Sequence, residues 1–201
     1  MTPFSQPART LRSTRTTILR GACYFFLAFG LLALVYAGFV FADAHTYQAR
    51  ELRKFEQASL PTAPHILNEG DVLGEIQIPR LGIKAMVLQG ESRATLRHAV
   101  GHLSNSSLPG ELGNVTLAGH RDTFFRPLRD IRVGDEIRFA TREHIFQYVV
   151  DSMEVVGPTD LRVLESRTGH DLTLLTCFPF HFVGPAPKRF VVHAREVDGT
   201  R

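Results

Sequence analysis

Asp171-Leu-Thr-Leu-Leu-Thr-Cys177 is followed at once by Phe178-Pro179, and after a short loop comes Arg189-Phe-Val-Val-His193-Ala194. Both runs are rich in apolar and β-branched residues, and Pro179, which has no N–H to give to a ladder, stops the first. Paired antiparallel, the end of the first strand faces the start of the second. Cys177 and Arg189 then become neighbours at one rim of a sheet.

The same texture reaches back to Asp71, with short β-rich runs separated by Gly, Pro, Asn and Asp. Strands are expected at Val72–Ile78, Ile83–Leu88, Asn114–Ala118, Glu136–Ala140, Ile145–Val156 (with a bend), Leu172–Cys177 and Arg189–Val197. Short helical pieces are expected at Ser92–Val100, Phe124–Arg129 and Thr159–Leu164. This is the pattern of an all-β barrel or sandwich, and about 125 residues suffice for one core.

Ahead of this domain lies Gly21 to Ala42, without one charged residue. As a helix it would be roughly 33 Å long, enough to span a bilayer. Four of the 23 basic residues, Arg9, Arg12, Arg15 and Arg20, precede it with no acid among them, leaving 19 basic against 20 acidic residues beyond. The positive-inside rule puts residues 1–20 in the cytoplasm as a basic tail and everything after Ala42 outside. A cleaved signal peptide competes, since Ala42-Asp43-Ala44 has an A-x-A form, but the apolar run exceeds the usual h-region. Residues 43–70 read as a juxtamembrane helix running into a Pro-containing linker, and 71–201 as the folded domain. The near-neutral domain offers no basic stripe for nucleic acid.

Cys23 falls in the apolar segment, so Cys177 is the lone thiol of an extracytoplasmic domain. Such a thiol is either buried as a small hydrophobe or used. A guanidinium beside a thiol favours the thiolate in general and can donate to an oxyanion. The missing partner is an acid/base group, and there are nine histidines. His120 ends the strand Asn114-Val-Thr-Leu-Ala-Gly119 at a rim; His181, four residues past Cys177, is its rival.

Ala118-Gly119-His120-Arg121-Asp122-Thr123-Phe124-Phe125, the T-L-L-T-C run ending at Cys177, and Pro187-Lys188-Arg189-Phe190 together resemble the three signature blocks of the sortase family. Leu108-Pro-Gly-Glu-Leu-Gly-Asn114 and Cys177-Phe-Pro-Phe-His-Phe-Val-Gly184 resemble its class D branch. The resemblance spans about residues 71 to 197 and implies an eight-stranded β-barrel with short helices, behind one N-terminal transmembrane helix. It implies His120, Cys177 and Arg189 as the catalytic set, and favours His120 over His181.

By that resemblance Cys177 attacks the carbonyl after a Thr in an LPxTG-like sorting motif, and an amine resolves the thioester. Secreted proteins bearing the motif, and an amine on peptidoglycan or a pilin, are the implied partners. The thioester retains the energy of the cleaved bond, so no cofactor or metal is called for. Val155 to Gly169 matches the region where sortases bind the motif. Val156, Pro158, Leu161, Val163 and Leu164 would line a groove there or simply pack the core. Thr176 would add a substrate contact or be an ordinary strand residue, and His102 and His181 would flank the site or serve structure.

Three other functions compete with that reading. Water in place of the amine would make it a thiol peptidase. An unreactive Cys177 would make it a non-catalytic barrel module. A metal site from His102, His120, Cys177 and His181 lacks any usual ligand spacing. Asp122, Asp130, Asp135 and Glu136 cluster in sequence without the spacing of an EF-hand.

Overall fold

A computed structural model describes residues 20, 22–39, 42, 46, 50, 67–165, 169–182 and 184–197. The chain divides into two compact units, Met1–Asp43 and Ala44–Arg201. The expected tail, and most of the juxtamembrane stretch and linker, lie outside the described residues.

In the first unit, helix α1 (Ala22–Phe39) is 18 residues long, and none of it is buried. At about 1.5 Å per residue it measures roughly 27 Å, close to the thickness of a hydrocarbon core. Its surface is apolar all round, as suits a helix solvated by lipid. It is long and apolar enough to cross a membrane.

The second unit contains β1 (Val72–Ile78), β2 (Ile83–Gln89), α2 (Arg93–His98), β3 (Val100–His102), β4 (Gly113–Ala118), β5 (Glu136–Ala140), β6 (Ile145–Val156), β7 (His170–Phe178) and β8 (Lys188–Glu196). The eight strands close into a barrel in the order β1-β2-β3-β4-β7-β8-β6-β5, which leaves no open sheet edge. Pairing is antiparallel except at β2–β3 and β4–β7.

Alternation along each strand fills the barrel. On β7, Leu172 and Leu174 point inward and are fully buried, joining Ile76, Val115, Leu117, Phe139, Tyr148, Val150 and Val192. Leu175 takes the opposite face, where it packs with Val156, Val163, Val191 and Leu164. The core-side residues Phe178, Phe180 and Phe190 gather at the rim where β7 ends, with ring centroids 5.4 to 6.3 Å apart.

The structure corrects several expected boundaries. The helix expected to reach Val100 stops at His98, capped at its start by Ser92, whose hydroxyl accepts from the Thr95 N–H at 3.2 Å. Val100 opens β3, an eighth strand that is too short to show a pattern and is held wholly by long-range pairing with β2 and β4. The pieces expected at Phe124–Arg129 and Thr159–Leu164 are 3-10 turns, Arg126–Asp130 and Leu161–Leu164. Strand β6 runs unbroken; the expected bend is a bulge between Val150 and Ser152. The extra residue shifts the alternation, so Tyr148 and Val150 enter the core while Glu154 and Val156 lie outside it.

Candidate active site

Cys177 and Arg189 are direct cross-strand partners in β7–β8, and Val156 of β6 pairs with Arg189 on the other side. Strand β4 runs parallel to β7 on its far edge, with Ala118 opposite Leu175, and the Gly119 N–H then donates to the Leu175 carbonyl at 3.1 Å. The next residue is His120. Parallel pairing of β4 with β7 thus delivers the histidine to the rim where the cysteine and arginine already sit.

The turn carrying His120 is fixed from below. Its carbonyl accepts from the N–H groups of Phe125 at 3.1 Å and Thr123 at 3.4 Å. Phe125 is fully buried against Gly119, where a Cβ would lie 2.6 Å from its ring. Only glycine allows that approach. Thr176 closes the arrangement, its hydroxyl donating to the Gly119 carbonyl at 2.7 Å.

His120 is exposed, and Cys177 and Arg189 are half-buried. Among the described residues no side chain engages the thiol or the imidazole. The Arg189 guanidinium donates through Nη1 to the carbonyls of Ala186 at 3.2 Å and Lys188 at 3.0 Å, within its own strand entry. A thiol, an imidazole and a fork of N–H donors therefore share one accessible rim, an arrangement suited to acyl transfer.

The sortase-domain family model matches residues 76–197, the barrel from within β1 to the end of β8. The chain belongs to the sortase family. Its members are cysteine transpeptidases. This sortase is 28% identical over 190 residues to sortase D of Bacillus subtilis (strain 168), covering 86% of this chain and 96% of that one. It is 31% identical over 152 residues to sortase A of Staphylococcus aureus (strain NCTC 8325 / PS 47), covering 71% and 72%. A Clostridium perfringens sortase D5 transpeptidase superposes with a TM-score of 0.64 at 26% identity, covering 76% of this chain and 97% of that one.

The other expected site residues divide. Pro158 and Leu161 are exposed on the β6–β7 segment, whereas Val156 and Val163 are buried on the outer face of the sheet and Leu164 half-covers them. Thr176 faces inward at 3% exposure, its hydroxyl committed to Gly119. His181 is exposed just past Pro179. His102 is buried in β3, with Nδ1 2.9 Å from Gln89 Oε1 and Nε2 2.9 Å from the Ser107 carbonyl. Burial pushes its imidazole below the ordinary pKa, partly offset by the Ser107 carbonyl.

The four clustered acids each meet an arginine. Asp135 is held by Arg80, whose hydrogen bond keeps the carboxyl below its usual range, Asp130 by Arg129, Glu136 by Arg138 and Asp122 by Arg121.

The sequence reading gave Arg121 no role of its own beyond its place in a signature block. Its side chain is 8% exposed. The guanidinium donates to the carbonyls of Pro179 at 2.9 Å, Phe182 at 2.6 Å and Gly184 at 3.2 Å, and lies 5.9 Å from the Phe182 ring centre. The residue after His120 thus ties down the β7–β8 loop joining Cys177 to Arg189. Its acceptors are backbone carbonyls remote in sequence, so no local pattern announces it.

Proposed function

We propose that this sortase cleaves an LPxTG-like sorting motif and transfers the acyl part to an amine, with Cys177 as nucleophile, His120 as acid/base and Arg189 as oxyanion and substrate holder. The observation that carries the reading is the direct pairing of Cys177 with Arg189, with His120 two residues beyond the end of the neighbouring strand β4. The thiolate forms a bond to the carbonyl carbon after the motif Thr, and the carbonyl oxygen takes the charge beside the Arg189 donors. The C–N bond then breaks as His120 protonates the departing nitrogen, leaving a thioester. An incoming amine gives its proton to His120, forms the new amide and releases the thiolate.

Helix α1, preceded by arginines and followed by Asp43, would anchor the barrel outside the membrane with the N-terminus inside. There the enzyme meets exported proteins and the envelope or pilin amines that accept them.

The test is intact-mass analysis of the full-length chain in detergent, as wild type and as Cys177→Ala, with LPxTx-type peptides and with or without triglycine. A Cys177-dependent acyl adduct that triglycine converts to a ligated peptide supports transfer. Free acid formed equally with and without triglycine makes the protein a peptidase, and no adduct removes the covalent mechanism.

A further inference from the structure

Below the Cys177–Arg189 pair, on the same outer face of the sheet, four strands are joined by side chains that the mechanism does not use. Thr173 of β7 pairs with His193 of β8, and Asn114 of β4 and Glu154 of β6 flank them. Asn114 Nδ2 donates to the Leu164 carbonyl at 3.0 Å, which assigns its other amide atom as the oxygen. The Thr173 hydroxyl donates to that oxygen, also at 3.0 Å. Its single hydrogen is then spent, so it accepts from His193 Nδ1, 3.3 Å away. His193 Nε2 lies 3.1 Å from Glu154 Oε1, and Arg162 Nη2 lies 3.8 Å from the other oxygen of that carboxylate. The chain is complete, with each ring nitrogen of His193 facing an oxygen.

Both ends of this chain reach the same short turn, one through a backbone carbonyl and the other through a side chain. Asn114 holds Leu164 and Glu154 attracts Arg162, and both lie in the 3-10 turn Leu161–Leu164 that carries exposed Leu161. Asn114, Thr173 and His193 are buried, so the line forms a hydrogen-bonded floor beneath that turn. Thr173 lies four positions before Cys177 along β7, roughly 13 Å of strand.

We propose that Asn114, Thr173, His193 and Glu154 are positioning residues that pin the Leu161–Leu164 turn beside the Cys177 rim and so set how tightly the sorting motif is bound. The proposal rests on the transpeptidase reading. It assigns these side chains to substrate affinity and leaves the chemistry to the rim.

Two variants of the full-length chain test it. Asn114→Asp turns the donor facing Leu164 into an acceptor, and Thr173→Val removes the central hydroxyl at constant shape. Losing one such bond is expected to speed amide exchange in 161–165 about tenfold and to raise the KM for a motif peptide about tenfold. The kcat and the rate of Cys177 alkylation by iodoacetamide should stay within about twofold of wild type, which general loosening of the barrel would not leave intact.

Unchanged exchange in 161–165, or a fall in kcat at constant KM, overturns the proposal. Wild-type protein that cleaves no motif peptide sinks the transpeptidase reading and the affinity role with it. In that case the exchange rates still decide whether the floor pins the turn.

Discussion

The Thr176 hydroxyl donates to the Gly119 carbonyl across 2.7 Å, so the residue before the cysteine holds the residue before the histidine. Parallel β4–β7 pairing ends at this level, and the side-chain bond carries the alignment one step past the ladder. Thr176→Val keeps the shape and leaves the buried Gly119 carbonyl unpaired. The expected loss is about 1–3 kcal/mol of stability, read by urea denaturation, with at least about a tenfold fall in kcat/KM. Thr176→Ser should retain most activity. A fully active Thr176→Val would show that the tie does not align the two residues.

Gly119 answers to sterics. A methyl group there would sit 2.6 Å from Cδ2 of Phe125, a fully buried ring that cannot swing into solvent. Gly119→Ala should therefore cost about 1–3 kcal/mol, as overpacking does, and displace the His120 turn. Because the clash is with one ring, Gly119→Ala combined with Phe125→Leu should cost less than the two changes summed. Strict additivity in a double-mutant cycle would locate the cost elsewhere.

The tie made by Arg121 reaches furthest in sequence. Arg121→Met keeps length and packing but strands three loop carbonyls, and Arg121→Lys restores a charge without the fork. Stability is expected to drop by at least about 2 kcal/mol in Arg121→Met, since bonds to a charged donor are the stronger kind. Chymotrypsin should cut after Phe180 or Phe182 faster than in wild type, with Arg121→Lys intermediate. If the loop is cut no faster in Arg121→Met, the guanidinium is not what holds it.

The features that were legible in the sequence and those that were not differ in the range of their causes. Strands β7 and β8 could be read because alternation and Pro179 act locally, and α1 because it is uniformly apolar. The three signature blocks made His120, Cys177 and Arg189 visible together, and the barrel brings all three to one rim. Strand β3 escaped because Val100-Gly-His102 is too short to carry a period and exists only by pairing with β2 and β4. The resemblance left Val156 and Val163 either as groove residues or as core packing, and the bulge before Ser152 and the fold of the 3-10 turn put both in a buried cluster. Arg121 and His193 were hidden for the same reason: the hydrogen-bond partners that fix them lie 20 to 63 residues away in sequence.

His102 gives the barrel a pH dependence with a definite sign. Burial lowers its folded pKa beneath the ordinary value, so the folded state binds fewer protons there than the unfolded chain near pH 6. Its contribution to stability is fully present above about pH 6.5, the unfolded value, and is lost as pH falls through the lower folded one. His102→Gln removes the titrating group while keeping polar atoms near Gln89 and Ser107. Unfolding free energies from urea titrations between pH 8 and 5 should fall less steeply in His102→Gln than in wild type, the curves diverging below about pH 6.5. Parallel curves over that range would mean that His102 is protonated as readily in the folded barrel as in the open chain, which its burial between β3 and Ser107 argues against.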